Sequence, residues 1–201
     1  SHFAVADEIS GVDFTREQIA MFKDIFTALK AEYPDLKGSL CNSSGGMAYA
    51  DARLDLVRAG IALYGSNPFQ GTEQESLGHG LKPVMEISSS LVQVHALRKG
   101  QSISYGSTLT AERDKVVGIV ACGYANGYPG VAPTGTPVLV AGHRSRTLGR
   151  VSMDMLAVDL TPASTQIPAD FAPRVGTEVT LWGRSAGGAV LPIDEVAQAA
   201  G

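Results

Sequence analysis

Three short stretches of this chain hold residue types that can do chemistry. The first pairs Asn42-Ser43 with Arg58-Ala59-Gly60-Ile61. A serine hydroxyl beside backbone N–H groups, one of them on a glycine with no side chain in the way, suits a phosphate. Arg58 is a permanent cation inside apolar text, where a guanidinium needs an acceptor. The same residues also fit a serine cap, a turn glycine and an arginine paired with a carboxylate. The second stretch, Gly123-Tyr124-Ala125-Asn126-Gly127-Tyr128-Pro129, follows an apolar strand and sets a phenol at its mouth. A tyrosine there can act as a general acid or base where a cation lowers its pKa from ~10; it equally fits a hairpin turn with an aromatic lid. The third, Gly149-Arg150-Val151-Ser152-Met153-Asp154, offers a pocket wall either a backbone N–H or a soft methionine, or is plain core with a polar edge. His2, His79, His95 and His143 and the two cysteines lack metal-ligand spacing. No nucleophile elbow, Walker loop or dinucleotide fingerprint is present.

The elements that must position these residues are of two kinds. Strand and helix alternate up to the segment Ser66–Gly80, a connector poor in large apolar residues; beyond it the text is nearly all strand and turn. The clearest predicted helix is 15–33. Thr15 is its expected cap, Gln18 completes a capping box, and Ile19, Phe22, Phe26 and Leu29 make one apolar stripe. A short run, Ser39-Leu40-Cys41, leads through a polar turn into a short helix at about 46–51. Leu54–Tyr64 follows, apolar enough for a strand buried on both faces of a parallel sheet. Such alternation belongs to a β/α barrel or a doubly wound sheet. In a barrel, Ser43 and Gly60-Ile61 would lie at the strand ends that build the active face. Downstream, strands are predicted at 83–97, 101–105, 115–122, 137–141, 146–150, 152–160 and 178–182, parted by turns such as Ala141-Gly142-His143 and Gly183–Gly188. Short strands with glycine turns favour an antiparallel barrel or sandwich.

Lys and Arg number 16 against 20 Asp and Glu, a net charge of −4 with no basic run, which argues against a nucleic-acid or anionic-membrane surface. The longest apolar run, Val116 to Ala125, is half the ~20 residues a membrane span needs. Cys41 and Cys122 sit in apolar text and are expected as buried thiols in a reducing compartment. The chain starts Ser1-His2-Phe3, without the basic leader of an export signal, and stops at Gly201 inside a helix-like pattern; it reads as cut at both ends.

In order, "SHFAVADE", "CNSSG", "DLVRAGIALYG", "LKPVMEISSSLVQV", "ISYGSTLTA", "GYANGYPG" and "LGRVSMDM" resemble the alanine racemase family of pyridoxal-phosphate enzymes over nearly the whole chain. The resemblance implies an α/β plus all-β fold: the terminal strands and helices of a β/α (TIM-type) barrel, residues 1–72, then a β-rich barrel-like domain, residues 73–201, incomplete at its end. It implies that His2 lies against the pyridine ring of pyridoxal 5′-phosphate, that Ser43, Gly60 and Ile61 hold the phosphate, and that Arg58 hydrogen-bonds the pyridine nitrogen. Tyr124 matches the catalytic tyrosine and Met153 the substrate-contacting methionine. The implied activity is an isomerase reaction, two-base racemisation of alanine in the cytoplasm supplying D-alanine for cell-wall synthesis, the alternatives being an amino-acid racemase of broader specificity or a non-catalytic module that binds the cofactor or a partner. The site is shared across a homodimer, with no nucleic-acid or membrane partner. The chain departs from the family in four ways, one being that the closing stretch, with a further phosphate-binding tyrosine, belongs after Gly201. The lysine that carries the cofactor belongs upstream of Ser1, so the chain is expected to be an inactive C-terminal fragment. Many members have His where this chain has Ser39, and Asp where it has Asn126.

Overall fold

A computed structural model describes all 201 residues, Ser1–Gly201. They form two compact units, Ser1–Val84 and Met85–Gly201. Composition places a connector at Ser66–Gly80 and the resemblance a boundary at 72/73; the packing carries the first unit on to Val84. The connector is tied back: Phe69 is fully buried, Asn67 bonds both the Phe69 N–H and the Glu75 carbonyl at 3.0 Å, and the Val84 N–H reaches Tyr64 O at 3.3 Å. No helix is long and apolar enough to cross a membrane.

In the first unit helix α1 spans Val12–Glu32 and starts a turn earlier than its sequence signals indicate. Thr15 is not the cap. Gly11 holds that position, Thr15 is fully buried inside the helix, and Gln18 Oε1 accepts the Ala4 N–H at 3.3 Å instead of closing a capping box. The apolar stripe is only partly used: Ile19 packs with Phe3, Leu40, Cys41, Tyr49 and Ala52, while Leu29 is exposed. Asn42 caps helix α2, Ser43–Ala48, its Oδ1 accepting the Gly45 N–H at 2.9 Å, as a short Asx side chain does at a helix start. Leu54–Tyr64 does not form the strand expected of it. One parallel bridge joins Leu56 to Ser39, and Ile61–Tyr64 coils into a 3₁₀ helix. The reason is physical: a parallel strand is buried on both faces only between paired neighbours under covering helices. Here Leu56, Val57, Leu63 and Tyr64 stay exposed.

The second unit is a barrel. Its strands are β1 (Ile87–Leu97), β2 (Ser102–Ile103), β3 (Leu109–Thr110), β4 (Lys115–Val120), β5 (Pro137–Val140), β6 (His143–Leu148), β7 (Leu156–Asp159), β8 (Glu178–Arg184) and β9 (Val190–Leu191). The order β1-β4-β7-β6-β5-β8 closes through a β1–β8 pairing, all antiparallel, with β9 added on β8; β2 and β3 form a separate ribbon. Long β1 makes closure possible. Its first half pairs with β8 and its second with β4, with a bulge between Leu91 and Gln93 that bends it. Val120, Val138, Val140, Val158, Val179 and Leu181 fill the core. Helix α3, Ile193–Ala200, buries Val196 against it and is held by Arg144, whose Nη2 donates to Glu195 at 2.8 Å. The predicted strands recur with shifted ends, except that β3 and β9 had no sequence signal. His143 opens β6 rather than closing the turn, which is Ala141-Gly142 alone.

Candidate functional site

In the first unit the segments 39–43 and 56–62 run side by side. Ser39 bridges Leu56, the Arg58 N–H donates to Cys41 O at 3.0 Å, and the Gly60 N–H donates to Ser43 Oγ at 2.9 Å. That register sets the side chains. Ser43 Oγ accepts a second N–H, from Ala62 at 3.3 Å, so it faces the opening of the 3₁₀ helix that Ile61 starts. Arg58 donates through Nη1 to Ser39 Oγ and through Nη2 to Ser1 O at 2.5 Å, and meets His2 Nδ1 at 2.9 Å. A guanidinium has only donors, so Nδ1 must be the accepting nitrogen of His2. All three acceptors are neutral and none is a carboxylate. The chain thus brings together His2 with Arg58 and Ser43 with Gly60, and Ser39 supports the arginine in the position where the resemblance leads to histidine.

These residues fit a phosphorylated pyridine. Arg58 keeps an uncompensated charge and donors for a ring nitrogen. The Ser43 hydroxyl accepts two N–H groups and retains its own proton to donate. A Cβ at Gly60 would stand 3.9 Å from Ser43 Oγ, in the space before that hydroxyl. Phosphate cradles are built this way, from N–H groups around a small residue. Elsewhere no cluster of metal-ligating side chains forms. Cys41 and Cys122 are free and buried, and burial pushes both thiols up, away from the thiolate a nucleophile needs.

In the second unit Tyr124 opens a single 3₁₀ turn, Tyr124–Asn126, shortly after β4. Its N–H donates to Ser152 O at 3.0 Å and that of Ala125 to Met153 O at 2.9 Å, so Tyr124 and Met153 are brought together by backbone. Only glycine allows that approach: a Cβ at Gly123 would lie 2.2 Å from Ser152 O. Asn126 Oδ1 accepts the Gly123 N–H at 3.0 Å, a role its neutral amide fills without adding charge. Tyr124 and Met153 are 49% and 54% exposed and leave this rim open. Behind it the Tyr128 ring is buried and stacks on Trp182 at 6.0 Å. Burial, with the Cys122 thiol beside it, pushes the Tyr128 phenol up to about 12, so it anchors the loop and stays protonated.

Sequence reasoning gives Tyr105 no role, yet Ser104 before it bonds the backbone of Arg150, three residues from Met153. Ser104 before it has φ 72 and ψ 168, and Gly106 and Ser107 after it have φ 74 and 49. Non-glycine residues in such conformations carry ~1–3 kcal/mol of strain and cluster at functional sites. Tyr105 is 70% exposed. The motif "ISYGSTLTA" was visible, but its positive φ angles depend on partners far along the chain.

The family model "Alanine racemase, N-terminal domain" matches residues 1–68, and "Alanine racemase, C-terminal domain" matches residues 84–201. The chain is 48% identical over 206 residues to an alanine racemase of Acidovorax sp. (strain JS42), and 48% over 204 residues to one of Polaromonas sp. (strain JS666 / ATCC BAA-500). All of this chain is covered in both, with 52% of each relative. Among solved structures it resembles the biosynthetic alanine racemase of Pseudomonas aeruginosa at 44% identity and a TM-score of 0.80, covering 99% of this chain and 50% of that one. It also resembles the Bartonella henselae alanine racemase with covalently bound pyridoxal phosphate, at 29% identity and a TM-score of 0.78, with the same coverage. The chain spans about half the length of the curated relatives it matches.

Proposed function

Because the chain belongs to the alanine racemase family, we propose that it supplies part of an isomerase that interconverts L- and D-alanine with pyridoxal 5′-phosphate. The observation that carries this is the Arg58–His2 contact at 2.9 Å set in register with the Ser43–Gly60 cradle. When bound, pyridoxal phosphate supplies an electron sink that makes the substrate Cα–H acidic. Arg58 would donate to the ring nitrogen and hold it as an unprotonated acceptor, since a guanidinium has no proton to give up. His2 would pack against the ring. The Ser43 hydroxyl and the Ile61 N–H would hold the phosphate, with the Gly60 N–H turning to it from Ser43 Oγ, which it meets at 2.9 Å.

Met153 would touch the substrate from the second unit of a neighbouring copy. In this proposal the working protein is a head-to-tail homodimer in the cytoplasm, making D-alanine for cell-wall synthesis. Racemisation needs a proton removed on one face of Cα and delivered on the other. One of the two carriers is a phenol that gives and takes its own proton. The resemblance assigns that role to Tyr124. A specific observation favours Tyr105: it is the more exposed phenol, and the strained backbone flanks it.

Both readings are tested by expressing the sequence at family length and measuring D-alanine formation for Tyr105→Phe and Tyr124→Phe. Loss of the proton carrier lowers kcat by ~10²–10⁴-fold. That loss is expected at Tyr105, with Tyr124→Phe retaining most of the rate; the reverse outcome restores Tyr124. No racemisation by a wild-type protein that demonstrably binds the cofactor would sink the proposal.

A further inference from the structure

We infer that Ser104 is a positioning residue: its hydroxyl fastens the Tyr105 turn to the Gly149–Arg150 backbone and so aims the phenol. The inference rests on the reading of Tyr105 as the proton carrier. Ser104 Oγ donates to Arg150 O at 2.7 Å and accepts the Arg150 N–H at 2.8 Å, using the hydroxyl in both directions on one residue 46 positions away. Its φ of 72 and ψ of 168 belong to glycine's range, where a serine persists only if surrounding bonds hold it. The approach is as close as chemistry permits. Gly149 has φ 69, and a Cβ there would lie 2.4 Å from Ser104 Cβ. The turn then folds on itself, with the Ser107 N–H donating to Ser104 O at 3.1 Å.

The Tyr105 ring projects from this turn into solvent, 70% exposed. With so little packing around the ring, the clamp acts through the backbone: it fixes where the Tyr105 Cα–Cβ bond starts and points, while the ring turns about its own torsions. A cleft of about 460 Å³ opens where the turn ends at Thr108, lined also by Gly130, Val131, Gly149 and Arg150. From Arg150 the same strand of chain reaches Ser152 and Met153, whose carbonyls hold Tyr124 and Ala125. One hydroxyl therefore joins the loops that carry Tyr105, Met153 and Tyr124.

The test separates orientation from stability and from chemistry. The chain has six tyrosines, so 3-fluorotyrosine labelling gives six ¹⁹F signals, and Tyr105→Phe assigns the one that matters. Ser104→Ala keeps the backbone strain and loses the clamp; Ser104→Gly loses both and so leaves thermal stability nearly unchanged. In both variants the Tyr105 signal is expected to shift and broaden while the Tyr33, Tyr49 and Tyr64 signals stay in place. At family length both variants are expected to lower kcat about tenfold with KM little changed, as a phenol displaced by a fraction of an ångström does. In a Tyr105→Phe background neither should cause a further loss. An unaltered Tyr105 signal in both variants overturns the inference. So does an unaltered kcat in Ser104→Ala when Tyr105→Phe abolishes turnover. If Tyr105→Phe itself leaves kcat intact, the reading of Tyr105 as proton carrier fails, and the ¹⁹F signal still decides whether Ser104 holds the turn.

Discussion

Arg58 and Asp159 show two opposite fates of a charge in this chain. Arg58 meets three neutral acceptors and keeps its full charge for a ligand. Asp159 is fully buried and surrounded by donors: Lys115 Nζ at 2.8 Å, Ser164 Oγ at 2.9 Å, the Thr161 N–H at 3.0 Å and Arg146 Nη2 at 3.4 Å. Burial works to raise its carboxyl pKa, but the Lys115 ammonium and the Thr161 and Ser164 bonds outweigh burial and hold it below the usual carboxylate range. Since the folded value lies below the unfolded one, the stabilisation is complete above the unfolded pKa of ~3.9 and is lost as pH falls through the folded value. Asp159→Asn removes that dependence. It also leaves the nearly buried Lys115 without a counter-charge, so the variant should be destabilised at neutral pH by ~3 kcal/mol or more. Urea titrations at neutral and acidic pH check both points: the gap between wild type and variant should shrink as pH drops through the acid range. An equal gap at both would mean that Asp159 contributes no charge interaction.

At the scale of elements, the barrel was legible because its strands are short, apolar and parted by glycine turns, a local pattern. The β5–β6 hairpin shows both the strength and the limit of such reading. Ala141-Gly142 joins Val140 to His143, with φ 47 at Ala141 and φ 83 at Gly142, the left-handed pair that matches strand twist. Alanine takes that conformation at a penalty of ~1–2 kcal/mol, whereas asparagine visits it readily. Ala141→Asn should stabilise the second unit by ~0.5–1 kcal/mol and raise its melting temperature by ~2–4 °C, measurable by calorimetry; a lower melting temperature would show that the turn is not under strain. What the text did not disclose is long-range. Thr15 and Gln18 spell a capping box, yet the helix continues a turn earlier because Thr15 has a buried place in it. Leu54–Tyr64 is apolar enough for a central strand, but burial on two faces requires neighbours that its own residues do not encode. Of the site, Ser43, Arg58 and Gly60 were legible as residue types near strand ends. Tyr105 was not, because its setting is created by Ser104 reaching Arg150.

At the scale of the whole chain, the two units bury their apolar residues to different extents, and that difference is measurable. The second unit closes its sheet, which leaves few free strand edges, and it buries a continuous core from Leu91 to Val196. The first has a small core around Phe3, Ile19 and Leu40, and exposes Phe14, Met21, Ile25, Leu29, Leu63 and Tyr64. Apolar surface left in water contributes nothing to stability, at roughly 25 cal/mol per Å² that burial would otherwise supply. Separate cores in one chain also break two-state behaviour. Calorimetry of the 201-residue chain should therefore resolve two transitions, the first unit melting at the lower temperature. Between them a dye that binds apolar surface should fluoresce, and limited proteolysis should remove residues up to about 84 while leaving a fragment close to Met85–Gly201. A single transition whose calorimetric and van't Hoff enthalpies agree would overturn this, because one cooperative step requires the small core to borrow its stability from the barrel rather than stand on its own contacts.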